Sequence, residues 1–212
     1  MTVAEGASGA QGLPAGRQDP EQVLQLLRAT GALLEGHFML TSGLHSGGYV
    51  QSAKTLQYPQ HAEKLGRWIA ESFHGTAVDV VISPAIGGIV IGQEVARALG
   101  VRAIFGEREG GVMTLRRGFE VTPGERVLVV EDVTTTGGSV REIMQVAQAR
   151  QGQVVGVGAI LNRSPGQIDL GVPLHTLALL HIQNYRPDAC PLCQQGSQPV
   201  KPGSRQLPGG ER

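Results

Sequence analysis

Apolar residues follow two alternating patterns along this chain, one spaced for helices and one continuous over the length of a strand. Asp19, Pro20 and Gln22 predict an N-cap, a first-turn proline and a capping-box partner, and Gly31 predicts the end of that helix. Helical spacing of apolar residues returns over residues 61–74, 88–99 and 138–150. Apolar runs of strand length cover residues 79–83, 101–105, 126–131 and 154–161. Residues 36–57 are typical of short strands and turns. This alternation predicts an α/β fold with a doubly wound, mostly parallel sheet flanked by helices.

The length and the two ends of the chain predict one catalytic domain between two tails. A chain of 212 residues fits a single core. Residues 1–18 are rich in Gly and Ala without a hydrophobic period, and residues 196–212 repeat Pro and Gly. We therefore expect a disordered N-terminal tail over 1–18, a folded domain over 19–195 and a flexible C-terminal tail over 196–212.

The charge balance argues against nucleic acid and membrane partners. The 18 Lys and Arg residues equal the 18 Asp and Glu residues, so no overall positive field attracts a polyanion. The first residues lack a basic start and a continuous apolar stretch, and no apolar run is long enough to span a membrane. We expect a cytoplasmic protein that acts on a small molecule.

The cysteines form one short motif near the C-terminus. Cys190 and Cys193 stand in a C-P-L-C sequence, which is too little for a disulfide framework and supplies half of a four-ligand zinc set. The expectation is a pair of ordinary surface thiols. The alternative is that two chains share one zinc ion through their two motifs.

The segment 127–139 carries the clearest chemistry, because an apolar strand there ends in two acids and enters a Thr- and Gly-rich loop before a helix. Such a loop can aim several backbone N–H groups at one anion beyond the carboxyl end of a parallel strand. Residues 134–139 could therefore bind a phosphate, while Glu131 and Asp132 suit ribose hydroxyls or a hydrated metal ion. The plainer alternative is a tight turn whose threonines cap a helix.

The same segment resembles the signature with which type I phosphoribosyltransferases bind phosphoribosyl pyrophosphate (PRPP). It matches neither the Walker loop nor the dinucleotide-binding fingerprint. Residues 36–46 with Tyr49, residues 83–88 and residues 161–163 further resemble the orotate-specific family in order and spacing. The resemblance covers about residues 20–195.

The resemblance implies a type I phosphoribosyltransferase fold, with a small N-terminal hood over about residues 19–60 and a core over about 61–195. It implies a pyrophosphate loop at 83–88, Mg²⁺ held mainly by PRPP and water without direct protein ligands, and a homodimer that shares a lid loop. The implied catalytic residues are Asp132, Arg108, Arg116 and Arg117. The implied PRPP-binding residues are Ile86, Gly87, Arg108, Glu131, Asp132, Val133, Thr134, Thr135, Thr136, Gly137, Gly138 and Ser139, and the implied orotate-binding residues are Tyr49, Val50, Thr135 and Arg163.

The lid is expected over residues 106–118, which mix basic residues with four glycines after a strand. A solvated hairpin with surface charges is the alternative. The sequence departs here from the best-known family pattern, because the lid has no lysine or histidine, and Thr41 and Gly87 stand where that pattern has lysines. Arginine must then supply the positive charge, although an always-protonated guanidinium is a poor general acid.

The expected function is that of an orotate phosphoribosyltransferase, a glycosyltransferase that converts PRPP and orotate into orotidine 5'-monophosphate and pyrophosphate in de novo pyrimidine synthesis. Two alternatives stay open. The base could be a purine or uracil, or the chain could be a PRPP-sensing regulator without catalysis. The absence of a recognisable DNA-binding segment speaks against the regulator.

Overall fold

The computed structural model describes residues 19–40, 42–164, 166 and 168–202. A six-stranded sheet in the order β5-β4-β3-β6-β7-β8 forms the centre, and a three-stranded sheet in the order β1-β2-β9 lies apart from it. The strands are β1 (Leu33–Met39), β2 (His45–Val50), β3 (Val80–Pro84), β4 (Arg102–Glu109), β5 (Val112–Leu115), β6 (Arg126–Thr134), β7 (Gln153–Asn162), β8 (Leu174–Leu179) and β9 (Asn184–Tyr185). The helices are α1 (Pro20–Ala29), α2 (Ala53–Leu56), α3 (Pro59–Glu71), α4 (Gly88–Leu99), α5 (Gly138–Gln148) and α6 (Pro191–Gln194), with a 3₁₀ turn over Pro187–Ala189.

The central sheet confirms the predicted α/β architecture. Strands β4, β3, β6, β7 and β8 run parallel, and β5 is an antiparallel edge strand. Two hydrophobic clusters cover the two faces of the sheet, one with α1, α3 and α4 and the other with α5. Because both faces are covered, the central strands are continuous apolar runs rather than alternating ones. The carboxyl ends of β3, β6 and β7 therefore meet at one edge of the sheet.

The first helix begins and ends where its sequence signals lie. The side chain of Asp19 accepts a hydrogen bond from the backbone N–H of Glu21 at 3.0 Å, and Pro20 occupies the first turn. Gly31 follows the helix with φ of 65°, a left-handed conformation that glycine adopts at little cost. Val23 and Leu27 are buried and attach the helix to the core.

The hood is built from both ends of the domain. Strands β1 and β2 form an antiparallel hairpin, and β9 pairs with β2. Beyond it, Val200 forms a parallel bridge with Phe38, and its N–H donates to the carbonyl of His37 at 2.8 Å. Residues up to Val200, which fall within the predicted C-terminal tail of 196–212, thus contribute to the hood sheet. The predicted tail over 1–18 and the last part of the predicted tail over 196–212, residues 203–212, lie outside the described residues.

The expected lid forms a β-hairpin. β4 continues to Glu109 and pairs with β5 in an antiparallel register, and Gly110 and Gly111 form the turn with φ of 57° and 88°. Strand β6 also extends three residues past Glu131, so Asp132 and Thr134 lie on a strand rather than in a loop. Pro84 belongs to β3, where it is in register with Gly106 of β4. None of the helices in the described part of the chain is long and apolar enough to cross a membrane.

Candidate active site

The turn between β6 and α5 forms an anion cradle at the carboxyl edge of the sheet. Gly137 adopts φ of 77°, and the helix begins at Gly138, so the first backbone N–H groups of α5 point into the turn. The turn borders a cavity of about 220 Å³. The cavity is lined by Arg108, Glu131, Val133, Thr134, Thr135, Thr136, Gly137, Gly138, Ser139, Val140 and Glu142. The structure thus brings together the whole predicted Thr/Gly segment.

Burial favours the uncharged form of the Glu131 carboxyl group by raising its pKa. Its side chain is buried, and desolvation together with the neighbouring charge of Asp132 raises the pKa of Glu131 to about 9. One of its oxygens accepts the N–H of Asp132 at 3.1 Å. A protonated carboxyl group can also donate a hydrogen bond, so Glu131 can either donate to or accept from a sugar hydroxyl in the cavity.

Asp132 is held in one orientation by two donors. The N–H of Val133 donates to its Oδ1 at 2.8 Å, and the hydroxyl of Ser52 donates to its Oδ2. Gly87 leaves the space that the carboxylate fills, because a Cβ atom at Gly87 would lie 2.7 Å from Oδ2 and 2.8 Å from Oδ1. A side chain of any kind at position 87 would displace this carboxylate.

The predicted pyrophosphate loop joins β3 to α4 and lies beside the acidic pair. The peptide bond between Ala85 and Ile86 is cis, and the N–H of Ala85 donates to the carbonyl of Gly106 at 2.7 Å. Ile86 is 87% exposed, so its apolar side chain lies in solvent. A Cβ at Gly88 would lie 3.1 Å from the carbonyl oxygen of Val130, so the loop packs tightly against β6.

Arg163 follows β7 and lies next to the cradle. Its N–H donates to the carbonyl of Thr134 at 2.8 Å, and its side chain is half-buried with Nε unpaired among the described residues. Burial lowers the pKa of Arg163, which the nearby Tyr49 partly opposes. The guanidinium stays charged and lacks a carboxylate partner among the ion pairs of the described chain. Such a group is suited to an anionic ligand.

The hood residues of the expected orotate site occupy the end of β2. Tyr49 is half-buried, its ring lies 5.9 Å from that of Phe38, and its hydroxyl donates to Gln51 at 3.2 Å. Val50 is buried and pairs with Leu33. Val50 is thus a core residue of the hood, and Tyr49 is the one whose side chain influences Arg163.

The three lid arginines all contact glutamates. Arg108 lines the cradle and pairs with Glu142 at 2.6 Å. Arg116 pairs with Glu109 at 3.3 Å, and Arg117 pairs with Glu107 at 2.9 Å. Among the described lining residues, Arg108 is therefore the lid cation that reaches the cavity, whereas Arg116 and Arg117 lie along the hairpin.

Ser52 and Glu142, both in the described part of the chain, contribute to the site although the sequence did not predict them. Ser52 binds Asp132 across a separation of 80 residues, and no local pattern marks such a contact. Glu142 lines the cavity from α5 one turn after Gly138. Helical spacing from the cradle could have indicated Glu142, because residues three or four apart share a face.

Sequence comparisons agree with this geometry. An orotate phosphoribosyltransferase from Caldanaerobacter subterraneus subsp. tengcongensis is 53% identical over 189 residues, which cover 89% of this chain and all of that protein. One from Pelotomaculum thermopropionicum is 54% identical over 187 residues, or 88% of this chain and 98% of that one. The chain belongs to the orotate phosphoribosyltransferase family. The family model for the phosphoribosyl transferase domain matches residues 52–170 of this family member.

Solved structures of phosphoribosyltransferases share the fold of this family member. The orotate phosphoribosyltransferase of Aeropyrum pernix aligns with a TM-score of 0.63 at 24% identity, covering 74% of this chain and 93% of that one. The Mycobacterium tuberculosis H37Rv orotate phosphoribosyltransferase in complex with inorganic phosphate aligns with a TM-score of 0.61 at 26% identity, covering 75% and 94%. The predicted type I fold is thereby confirmed.

Proposed function

We propose that the protein transfers the phosphoribosyl group of PRPP to a ring nitrogen of orotate, releasing pyrophosphate and forming orotidine 5'-monophosphate for pyrimidine synthesis. The observation that carries this proposal is the arrangement at the end of β6. An anion cradle lies beside the oriented carboxylate of Asp132, and the backbone of Arg163, whose side-chain Nε is unpaired among the described residues, bonds to Thr134 of the cradle. The names of the most similar relatives support orotate as the base.

The cradle would bind the 5-phosphate of PRPP. Backbone N–H groups of residues 136–139 and the hydroxyls of Thr135 and Ser139 are suited to a phosphate dianion at the start of α5. Asp132, held by Ser52 and Val133, would accept the ribose hydroxyls, and the neutral Glu131 would complete the set without adding charge beside the phosphate. This arrangement fixes the sugar so that its anomeric carbon faces the base.

Arg163 would bind the carboxylate of orotate. A guanidinium offers two parallel N–H donors that match a planar carboxylate, and its partial burial strengthens that interaction. Tyr49 would contact the base from the hood, and Thr135 would contact it from the cradle. Val50 supports this wall from the hood core.

The departing pyrophosphate would be stabilised by charge rather than by a proton donor. The loop at Ile86 and Gly87 would place backbone N–H groups on it, and Arg108 is the lid cation that already lines the cavity. Arg116 and Arg117 must leave Glu109 and Glu107 to reach the site. Exposed ion pairs of this kind contribute only about 0–1 kcal/mol, so a pyrophosphate can displace them. We infer a homodimer in which each hairpin can also serve the partner's site.

The residues present fit Mg²⁺ that arrives with PRPP. Asp132 is a half-exposed, oriented carboxylate, whereas burial raises the pKa of Glu131 and disfavours its charged form, so the pair is poorly suited to a dedicated magnesium cage. We infer that Asp132 contacts the ion through PRPP hydroxyls or water. When bound, Mg²⁺ neutralises charge on the diphosphate. We also infer a cytoplasmic enzyme.

Binding and turnover of PRPP test the proposal. Calorimetry with PRPP and Mg²⁺ should show one site per chain, and addition of orotate should yield orotidine 5'-monophosphate and pyrophosphate in equal amounts by mass spectrometry. Asp132→Asn should weaken productive PRPP binding, because an amide accepts fewer hydroxyl hydrogen bonds than a carboxylate. PRPP binding without turnover of any base would identify a regulator instead.

A further inference from the structure

Four potential metal ligands meet inside the hood, away from the cradle. His37 lies on β1, His45 begins β2, Cys190 is the N-cap of α6, and Cys193 lies within that helix. Their ligand atoms all lie within 4.8 Å of one another. The two histidines come from the hood hairpin and the two cysteines from the segment that follows β9, so the cluster joins elements that are about 150 residues apart in the chain.

Three of the distances within the cluster fall in the range expected around a tetrahedral zinc ion. With Zn–N bonds of about 2.0–2.1 Å and Zn–S bonds of about 2.3 Å, tetrahedral geometry separates neighbouring ligand atoms by about 3.3–3.8 Å. His45 Nδ1 lies 3.3 Å from the sulfur of Cys193, and His37 Nε2 lies 3.5 Å from that of Cys190 and 3.8 Å from that of Cys193. The two ring nitrogens are 2.9 Å apart. All four atoms can therefore contact one ion with small adjustments.

The surroundings of His37 orient it as a ligand. Its Nδ1 lies 3.1 Å from the carbonyl oxygen of Ser197, so Nδ1–H donates there and Nε2 presents a lone pair to the cluster. Metal-binding histidines are commonly held in this way by a backbone carbonyl. His37, His45 and Cys190 are buried, which excludes water and makes the expected surface position of Cys190 wrong.

We propose that His37, His45, Cys190 and Cys193 of a single chain bind one structural Zn²⁺ ion. Two thiolates and two neutral imidazoles carry a charge of −2, which Zn²⁺ neutralises, and these soft and borderline ligands favour Zn²⁺ over Mg²⁺ or Ca²⁺. Four protein ligands leave no open position, so the site is structural rather than catalytic. This site replaces the alternative of a zinc shared between two chains, because the histidines of the same chain supply the missing ligands.

The ion would hold the C-terminal segment on the hood. Without it, the described contacts that attach this segment to β1 and β2 include β9 with its two-residue pairing, the Val200 bridge and the His37–Ser197 hydrogen bond. Such a small sheet is marginal alone, and small elements commonly depend on a metal for their stability. Zinc removal should thus loosen the hood before the central sheet.

Metal content tests the site independently of any enzymatic activity. Untagged protein expressed with zinc in the medium should carry about one Zn²⁺ per chain after gel filtration, by plasma mass spectrometry. Protein stripped by a chelator should bind Co²⁺ with the intense visible bands of a tetrahedral site and with sulfur-to-cobalt charge transfer. The wild-type cobalt spectrum needs no variant, so it remains decisive if a substituted chain fails to fold.

Variants separate the four ligands from other histidines. Cys193→Ser and His45→Ala should each lose the zinc or weaken its retention at least tenfold in competition with a chromophoric chelator, whereas the exposed His74→Ala should keep it. Absence of bound Zn²⁺ together with no tetrahedral cobalt spectrum would overturn the proposal. Half a zinc per chain, zinc retained equally in all variants, or a Cys190–Cys193 disulfide in freshly purified protein would also overturn it.

Discussion

Replacing Gly87 by alanine should damage PRPP binding through Asp132 without unfolding the protein. The new Cβ would lie 2.7–2.9 Å from three atoms of the Asp132 carboxylate, closer than carbon and oxygen atoms pack. The carboxylate is the movable partner, since Gly87 itself is exposed. Moving it breaks the hydrogen bond from Ser52 or the one from Val133.

The size of the effect follows from those hydrogen bonds. A hydrogen bond to a charged group contributes about 1.5–3 kcal/mol, and each 1.4 kcal/mol changes a rate constant tenfold. Misplacing Asp132 should therefore lower kcat/KM for PRPP by about 10- to 100-fold. Ser52→Ala removes one of the two hydrogen-bond donors to Asp132 and should also lower kcat/KM for PRPP, by a smaller factor.

Steady-state kinetics with each substrate varied in turn measures the loss of kcat/KM in Gly87→Ala. The loss should appear in kcat/KM for PRPP, with the orotate KM at saturating PRPP changed much less, and thermal melting should stay near that of the wild type. Gly47→Ala is the matched control, because a Cβ there meets nothing within 4 Å. A folded Gly87→Ala protein with wild-type PRPP kinetics would refute the role assigned to Asp132.

Three further changes probe other parts of the site. Arg163→Ala should raise the orotate KM by roughly 100-fold and the PRPP KM far less, since a charged hydrogen bond is lost. Arg163→Lys should restore only part of the loss in orotate KM. Equal effects on the KM of both substrates would remove Arg163 from the orotate site. The pKa of Glu131 is about 9 in the folded protein and 4.5 in the unfolded chain, so the stability that its proton confers is lost as pH rises through that window, by at most about 1.4 kcal/mol per pH unit. Urea unfolding should therefore show a smaller fall in the free energy of unfolding from pH 6 to pH 8 for Glu131→Gln than for the wild type. An equal fall in both proteins would contradict the raised pKa. Glu142→Gln frees Arg108 from its ion pair and should lower the PRPP KM up to about fivefold, whereas Arg108→Ala should raise the PRPP KM. Unchanged PRPP kinetics in both variants would exclude Arg108 from the site.

Local patterns were sufficient to predict the central sheet and the cradle. The apolar run over residues 126–131 is buried on both faces, which makes it readable as a parallel strand, and the acids and glycines that follow belong to one short segment. The N-cap of α1 and the start of α4 at Gly88 are also set by neighbours in sequence. These features depend on residues a few positions apart.

Long-range contacts account for what the sequence did not predict. The hydroxyl that orients Asp132 comes from Ser52, and the hood is completed by residues near Val200. Cys190 and Cys193 alone look like half of a metal site, and only the fold brings His37 and His45 to them. The hairpin after β4 was expected as a loop, because glycine-rich turns obscure the alternation of the short strand β5.

The most direct test of the orotate assignment is the loss of orotate ultraviolet absorbance when protein, Mg²⁺, PRPP and orotate are mixed, with adenine, hypoxanthine, xanthine and uracil assayed in parallel. The predicted result is turnover of orotate alone, dependent on PRPP and sharply reduced in Arg163→Ala. Turnover of a purine or of uracil in preference to orotate would contradict the assignment of the base, and no turnover of any base would contradict catalysis itself.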